Sequence, residues 1–213
     1  FIARHREGLK AEQDIPDVRR RNVIGLARRC QAPESHSLHV ANLALSLFDQ
    51  TKREHHLGHQ ERTWLEYAAI LHDAGYLINP RQHHKHAYYL IKHSDVGGLT
   101  AEDIDVIATV ARYHRRSIPA LKHEEFNRLT PHLQRVVKIL ASLLRIADGL
   151  DRTHFSLVQA VHVKSGKQIT IQVHLTGDAE MELWAAKSRA DLFEQVFRRR
   201  VQFLGIPREA KQS

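Results

Sequence analysis

The pair His72-Asp73 stands out in this sequence because further metal-ligand residues lie on both sides of it along the chain. His39 lies upstream of the pair, and Asp148 lies downstream. Two imidazoles and two carboxylates form a ligand set that suits Mn, Mg, Fe or Zn and leaves coordination positions for water and a phosphate oxygen. A divalent ion held there could acidify a water and polarise a phosphoryl oxygen. The pattern therefore predicts a metal site with Asp73 in a catalytic role, and it favours phosphate-ester or phosphoanhydride hydrolysis.

A group of histidines downstream of this pair could serve a second ion. His114, together with either His83 or His84, could bind an ion that Asp73 bridges to the first one. Two-metal phosphohydrolases place their ions about 3.5 to 4 Å apart for this purpose. A histidine-rich stretch can equally be an ordinary basic surface turn, so the pattern leaves one ion and two ions both open.

Cationic side chains lie next to these histidines and elsewhere along the chain. Lys85, Arg115 and Arg116 could orient phosphate oxygens, the arginines through paired hydrogen bonds. The formal net charge of +8 implies attraction to polyanions, without choosing among them. We interpret the runs Arg19–Arg21 and Arg198–Arg200 as solvated helix faces or termini. Because no nucleic-acid-binding motif accompanies these charges, nucleic acid is the least favoured partner.

The composition is that of an ordinary globular protein of 213 residues, with 42% hydrophobic and 26% charged residues. No apolar run approaches the roughly 18 residues that span a bilayer, so we expect a cytoplasmic protein with no membrane partner. The single cysteine, Cys30, excludes a disulfide framework within the chain and a cysteine-rich zinc site. Any metal site has to use histidine and carboxylate ligands.

Helices have to position these ligands, because apolar residues recur at helical spacing from Val18 to about Arg152. His39 lies beside one apolar stripe, and His72 ends another. Asp148 comes at the C-terminal end of a third predicted helix, where a negative charge is unfavourable unless something positive offsets it. A bound cation would do so. We interpret Asp151 and His154, which follow closely, as structural residues.

The pattern changes after Phe155. Residues 158–163 and 169–175 alternate apolar with polar residues on either side of a Ser-Gly-Lys turn, which predicts a β-hairpin. An amphipathic helix over 184–197 and a short strand over 201–204 follow. The predicted fold is therefore mainly α, a helical bundle followed by a small α+β unit.

Three regions follow from these patterns. Residues 1–18 are expected to form a lead-in, which could be the end of an upstream domain. Residues 19–155 are expected to form the helical domain that holds the ligands. Residues 156–213 are expected to form the small C-terminal α+β unit.

The motifs of this chain resemble a known family. The pattern of His39, His72-Asp73 and Asp148 is similar to the HD superfamily of metal-dependent phosphohydrolases. Longer stretches resemble the C-terminal region of the exopolyphosphatase and guanosine pentaphosphate phosphohydrolase (Ppx/GppA) family, and they cover nearly the whole chain: Arg6–Leu9, Leu71–Tyr76, His83–Ile91, Ala111–Arg116, Leu144–Arg152, Glu182–Ala186 and Asp191–Glu194.

The resemblance implies an HD-type helical fold, and it limits what function can be transferred. In the Ppx/GppA family, hydrolysis of polyphosphate or guanosine pentaphosphate is assigned to N-terminal actin-like domains with glycine-rich phosphate loops. No such loop occurs here, so the family's named reaction is not carried over to this chain. By resemblance, the C-terminal region helps to bind the polyanion and to dimerise.

Two hypotheses follow for the function. The first is an HD-type metal-dependent phosphohydrolase module, with one or two divalent ions, that acts on a nucleotide, polyphosphate or another phosphorylated compound. The second is a non-catalytic regulatory, polyphosphate-binding or dimerisation domain. In either case the expected partner is a phosphorylated small molecule or polyphosphate, with a homodimer as a further expectation.

Overall fold

Helices make up most of the chain in the computed structural model, which describes residues 18–207. The predicted lead-in, except for its last residue Val18, and residues 208–213 lie outside the described residues. The fold class is confirmed: a mainly α body is followed by a small unit of strands and helices. Within the described residues, no helix has both the length and the apolar character needed to span a bilayer.

The described part of the helical body runs from Val18 to Gly149. Its helices are α1 (Val18–Arg29), α2 (Glu34–Gln50), α3 (Lys52–His55), α4 (His59–Leu71), α5 (His83–Lys92), α6 (Ala101–Arg112), α7 (Glu124–Asn127) and α8 (Pro131–Gly149). Two 3₁₀ segments, Ala74–Leu77 and Pro80–Gln82, connect α4 to α5. The His-Asp pair thus lies where an α-helix gives way to a tighter turn.

The helix α8 lies at the centre of the fold. It packs against α2, α4 and α6 of the helical body and against both helices of the C-terminal unit. Its apolar residues from Leu133 to Ala147 are buried, because neighbours cover it on several sides. This central position brings the residues at its C-terminal end between the helical body and the C-terminal unit.

The C-terminal unit is a three-stranded sheet crossed by two helices. Its elements are β1 (Val158–Ser165), β2 (Ile169–Leu175), α9 (Glu180–Ser188), α10 (Asp191–Phe197) and β3 (Val201–Pro207). The strands β1 and β2 pair antiparallel as the predicted hairpin, and β3 pairs parallel to β2, giving the order β1-β2-β3. A parallel return needs a crossover, which α9 and α10 provide.

The single helix predicted over 184–197 is two helices in the structure. Arg189 and Ala190 separate them, and the backbone N–H groups of these two residues bond three residues back, as in a tight turn. Each helix buries its own short apolar face, so one continuous stripe through the segment is not required. The amphipathic pattern indicates helical structure correctly, but it does not reveal the break.

Candidate metal centre

Four buried side chains from three helices meet beside the C-terminal end of α8. They are His36 from α2, His72 and Asp73 from the end of α4, and Asp148 from α8. The His36 Nε2 lies 3.6 Å from Asp73 Oδ2 and 3.7 Å from Asp148 Oδ1. The His72 Nε2 lies 3.5 Å from Asp73 Oδ1 and 3.7 Å from Asp148 Oδ1. Three overlapping triads of side chains here lie close enough to hold an ion: His36, His72 and Asp148; His36, Asp73 and His154; and His72, Asp73 and His114.

The structure brings His36 into this group, and it does not bring in the predicted His39. His36 extends the buried stripe of α2 by one turn, since it precedes Val40 by four residues and Leu43 by seven. His39 is one position off that stripe and only half-buried. The apolar spacing favours His36 over His39, because a ligand that faces the core should continue the stripe, but the packing of α2 against α4 and α8 decides which ring reaches the centre. His36 therefore takes the place of His39 among the candidate ligands.

The orientation of each histidine is set by a hydrogen bond at Nδ1. Backbone carbonyls and carboxylates can only accept hydrogen bonds, so each Nδ1 that faces one carries the proton, and a neutral ring then has its lone pair on Nε2. Metal-binding histidines are typically oriented by such bonds. The pairs are His36 Nδ1 with Asp151 Oδ2 at 2.7 Å, His72 with the Ala69 carbonyl at 2.6 Å, His114 with that of Ala111 at 2.7 Å, and His83 with that of Pro80 at 3.0 Å.

Two of these Nε2 atoms are buried without a hydrogen-bond partner among the described residues. They belong to His36 and His72, the two imidazoles that face Asp73 and Asp148. A buried polar atom without a partner is costly, and native proteins seldom leave one unexplained. A cation between these atoms and the carboxylates would satisfy both. Asp151, interpreted from the sequence as structural, has the position of a residue that orients a ligand.

A second group of histidines adjoins the first through Asp73. The His83 Nε2 lies 3.2 Å from Asp73 Oδ1 and 3.1 Å from His114 Nε2, and His114 Nε2 lies 3.9 Å from the same carboxylate oxygen. Since both Nδ1 atoms face carbonyls, two Nε2 lone pairs would oppose each other at 3.1 Å. That contact is repulsive unless a proton or a cation lies between them.

His84 does not share this position, although it is buried close by. Its ring centroid lies 6.0 Å from that of His83 and 6.4 Å from that of His114. Burial, reinforced by the positive charge of Arg112, lowers the pKa of His84 from 6.5 to about 3. Of the two alternatives left open by the sequence, the geometry therefore favours His83 as the histidine that accompanies His114.

The electrostatics of the centre keep its carboxylates ionised. Burial raises the pKa of Asp148, but the Arg189 guanidinium and the nearby imidazoles outweigh burial and hold that pKa well below its usual range. Burial likewise raises the pKa of Asp73, yet the charge of His72 dominates and lowers it. The pKa of the His36 ring is lowered by burial and raised by the surrounding carboxylates, with the result that it rises from 6.5 to about 9. The centre therefore attracts positive charge.

Arg189 is a member of the site that the sequence did not indicate. Its guanidinium forms an ion pair with Asp148 from the end of α9. The position of Asp148 at a helix C-terminus signalled that some positive charge was needed nearby. Arg189 and Asp148 are 41 positions apart in the chain, and no spacing pattern connects residues so far apart. Only the packing of α9 against α8 therefore identifies Arg189 as the source of the positive charge.

The three predicted phosphate-binding cations are placed differently. Arg115 is half-buried beside the second group, with its Nη1 3.3 Å from His83 Nε2. Lys85 is exposed and lies two positions after His83 on α5, about 200° around the helix, so it points away from the centre. Arg116 is exposed, with a left-handed backbone at φ 59°. Of the three, Arg115 alone is brought to the centre.

Tight packing at Gly75 holds the two halves of the site together. A Cβ atom at this position would lie 1.9 Å from the carbonyl oxygen of His83 and 2.5 Å from the backbone nitrogen of Ala87. The 3₁₀ turn after the His-Asp pair therefore lies directly against the first turns of α5. This contact fixes His83 relative to Asp73.

We expect Gly75→Ala to lower the free energy of unfolding by about 2 to 3 kcal/mol, because the backbone that the new methyl group meets cannot rotate away. Gly177→Ala is the matched control, since its Cβ would meet only a Leu157 methyl group at 3.7 Å. Urea unfolding of both variants measures the difference. Equal midpoints for the two variants would contradict the close contact between the turn and α5.

The chain matches the model of a known protein family. The family model described as Ppx/GppA phosphatase, domain III, matches residues 18–189. The match begins with α1 and ends at Arg189, so it includes every residue of the candidate metal centre. It also extends over the hairpin and the first helix of the C-terminal unit.

Proposed function

The chain belongs to the Ppx/GppA phosphatase family, and we propose that it is an HD-type metal-dependent phosphohydrolase module within that family. Its substrate would be a nucleotide, polyphosphate or another phosphorylated compound. The observation that supports this proposal best is the pair of buried, unpartnered Nε2 atoms of His36 and His72 that face two ionised carboxylates. Such an arrangement fits a divalent cation better than it fits a packed core.

We propose ligands for one ion and for a second. His36, His72, Asp73 and Asp148 would hold the first. Asp73, His83 and His114 would hold the second, so that Asp73 would be a ligand in both sets. Both sets combine imidazole with carboxylate, which suits Mn, Fe or Zn, and neither uses a thiolate.

A divalent cation in such a centre supplies an acidified water and an electrophile for a phosphoryl oxygen. The residues of the chain contribute orientation and charge. Asp151 fixes the ring of His36, and burial of the ligands limits the access of competing water. Arg115 lies beside the centre, where its guanidinium could bind phosphate oxygens through two hydrogen bonds.

The experiment is a screen of metal-free protein against phosphomonoesters, phosphodiesters, nucleotides and polyphosphate, with Mn, Mg, Fe or Zn added singly. We expect phosphate release that depends on added metal and is restored to the chelated protein by the same metal. Phosphate release that persists after chelation would point to a contaminating phosphatase. Absence of metal-dependent turnover on every class would contradict the proposal.

One observation favours the non-catalytic alternative. Arg189 already neutralises Asp148, so the centre is partly compensated without a metal. A domain that binds polyphosphate or dimerises could keep such a buried pair for structural reasons. Tight polyphosphate binding without turnover, together with a dimer in sedimentation experiments, would support this alternative.

A further inference from the structure

The segment 151–156, which joins α8 to β1, has an unusual backbone beside the candidate metal centre. Two of its residues, His154 and Ser156, have left-handed conformations, with φ of 61° and 52°. Residues that carry a Cβ adopt this region seldom, and such strain persists only where the surrounding structure holds the backbone in place. Contacts of this segment with its neighbours therefore have to fix its shape.

Two buried carboxylates hold the segment. Asp151 accepts through Oδ1 a hydrogen bond from the backbone N–H of Ser156 at 2.8 Å, while its Oδ2 faces His36 Nδ1 at 2.7 Å. Glu182, from α9, accepts through Oε1 both the backbone N–H of Thr153, at 3.1 Å, and its hydroxyl. The carboxylate that orients a candidate metal ligand thus also fixes the segment beside it.

The side chain of His154 covers the ring of His36. The two imidazoles stack with their centroids 3.6 Å apart and their planes within 4° of parallel. His36 is buried, whereas His154 is exposed, so His154 lies on the solvent side of the pair. A ring nitrogen of His154 also lies within 4.8 Å of a carboxylate oxygen of Asp73. His154 therefore presents a nitrogen to the centre, although the sequence indicated only a structural residue.

The stacking makes His154 a poor ligand for the ion that His36 would bind. An imidazole nitrogen directs its lone pair or its N–H bond in the plane of its ring. Because the two planes are parallel and separated, a cation in the plane of His36 lies outside the plane of His154. The His154 nitrogen points instead to the space beside that cation, on its solvent side. This is the side from which a substrate has to approach.

We propose that His154 is a catalytic residue that donates a hydrogen bond to the substrate phosphate at the first metal ion. A ring N–H is a suitable donor, and its bond to an anionic phosphoryl oxygen is charge-assisted. The fixed segment 151–156 holds the ring in place before the substrate binds, which lowers the cost of ordering it. This inference rests on the proposed function, because it requires a metal ion and a phosphate group in the centre.

Isothermal titration of the Mn-loaded protein with inorganic phosphate, at about 0.15 M salt, tests the contact. His154→Ala should raise the Kd for phosphate by about tenfold, the value of one hydrogen bond to a charged group. The affinity for Mn should stay within about threefold of the wild-type value, because His154 is not a ligand. His174→Ala is the matched control, since it removes an exposed imidazole from β2 and should leave both affinities unchanged.

His154→Gly separates loss of the ring from a change of the backbone. Glycine adopts the left-handed conformation without strain, so the segment can keep its shape in this variant. We expect the same tenfold loss of phosphate affinity as in His154→Ala. Wild-type phosphate affinity in His154→Gly would overturn the inference, because the effect of alanine would then come from the backbone alone.

The outcomes distinguish this inference from the proposed function. Metal-dependent turnover in the wild-type protein, with an unchanged phosphate Kd in His154→Ala, would overturn the inference and leave the hydrolase standing. Weakened phosphate binding in His154→Ala without turnover on any substrate would support the contact and contradict the hydrolase. Loss of Mn affinity as large as in His36→Ala, or no phosphate binding by the Mn-loaded wild-type protein, would also overturn the inference.

Discussion

Asp73→Asn is expected to abolish metal-dependent turnover, with a loss on the order of 10³-fold or more. The Asp73 Oδ1 lies 3.5 Å from His72 Nε2 and 3.2 Å from His83 Nε2, while its Oδ2 lies 3.6 Å from His36 Nε2. One carboxylate therefore faces both groups of histidines. Asparagine keeps the shape but removes the negative charge, and it leaves the imidazoles around it without this anionic partner.

Metal content and turnover should fall together in this variant. Elemental analysis of protein loaded with Mn and then desalted measures the first, and phosphate release on the best substrate from the screen measures the second. Asp95→Asn, at an exposed position away from the centre, is the matched control and should behave as the wild-type protein. Full metal content in Asp73→Asn would refute the assignment of Asp73 as a ligand.

His36→Ala should lower the affinity for the first metal ion by about 100-fold or more, because it removes one of the two imidazoles that face both carboxylates. His39→Ala, three residues later on the same helix, should leave that affinity within about twofold of the wild-type value, since His39 lies outside the centre. His39→Ala is a matched control for His36→Ala, since both variants remove an imidazole from α2.

Competition with a fluorescent metal chelator measures both affinities in the same buffer. Unfolding curves of the metal-free variants serve as the control, because either substitution could weaken the packing of α2. If His39→Ala loses the metal while His36→Ala retains it, the ligand indicated by the sequence motif is correct and the arrangement described for His36 is not.

The sequence by itself determined the fold class and much of the candidate centre. Helical spacing of apolar residues indicated the helices that bear the ligands, and the alternation after Phe155 indicated the hairpin. His72, Asp73 and Asp148 are indicated because these compatible metal-ligand residues come at the ends of predicted helices. These features depend on local periodicity, which the chain carries in its own residue order.

Only the tertiary structure decided which neighbouring histidine enters the centre and which cation faces it. His36 and His39 are one turn apart, and the choice between them depends on where α2 packs against α4 and α8. Arg189 reaches Asp148 because α9 lies against the end of α8, where a Cβ on Gly149 would come within 2.7 Å of Ala186 Cα. Such contacts join residues far apart in the chain, so their geometry follows from packing between elements and not from spacing within one.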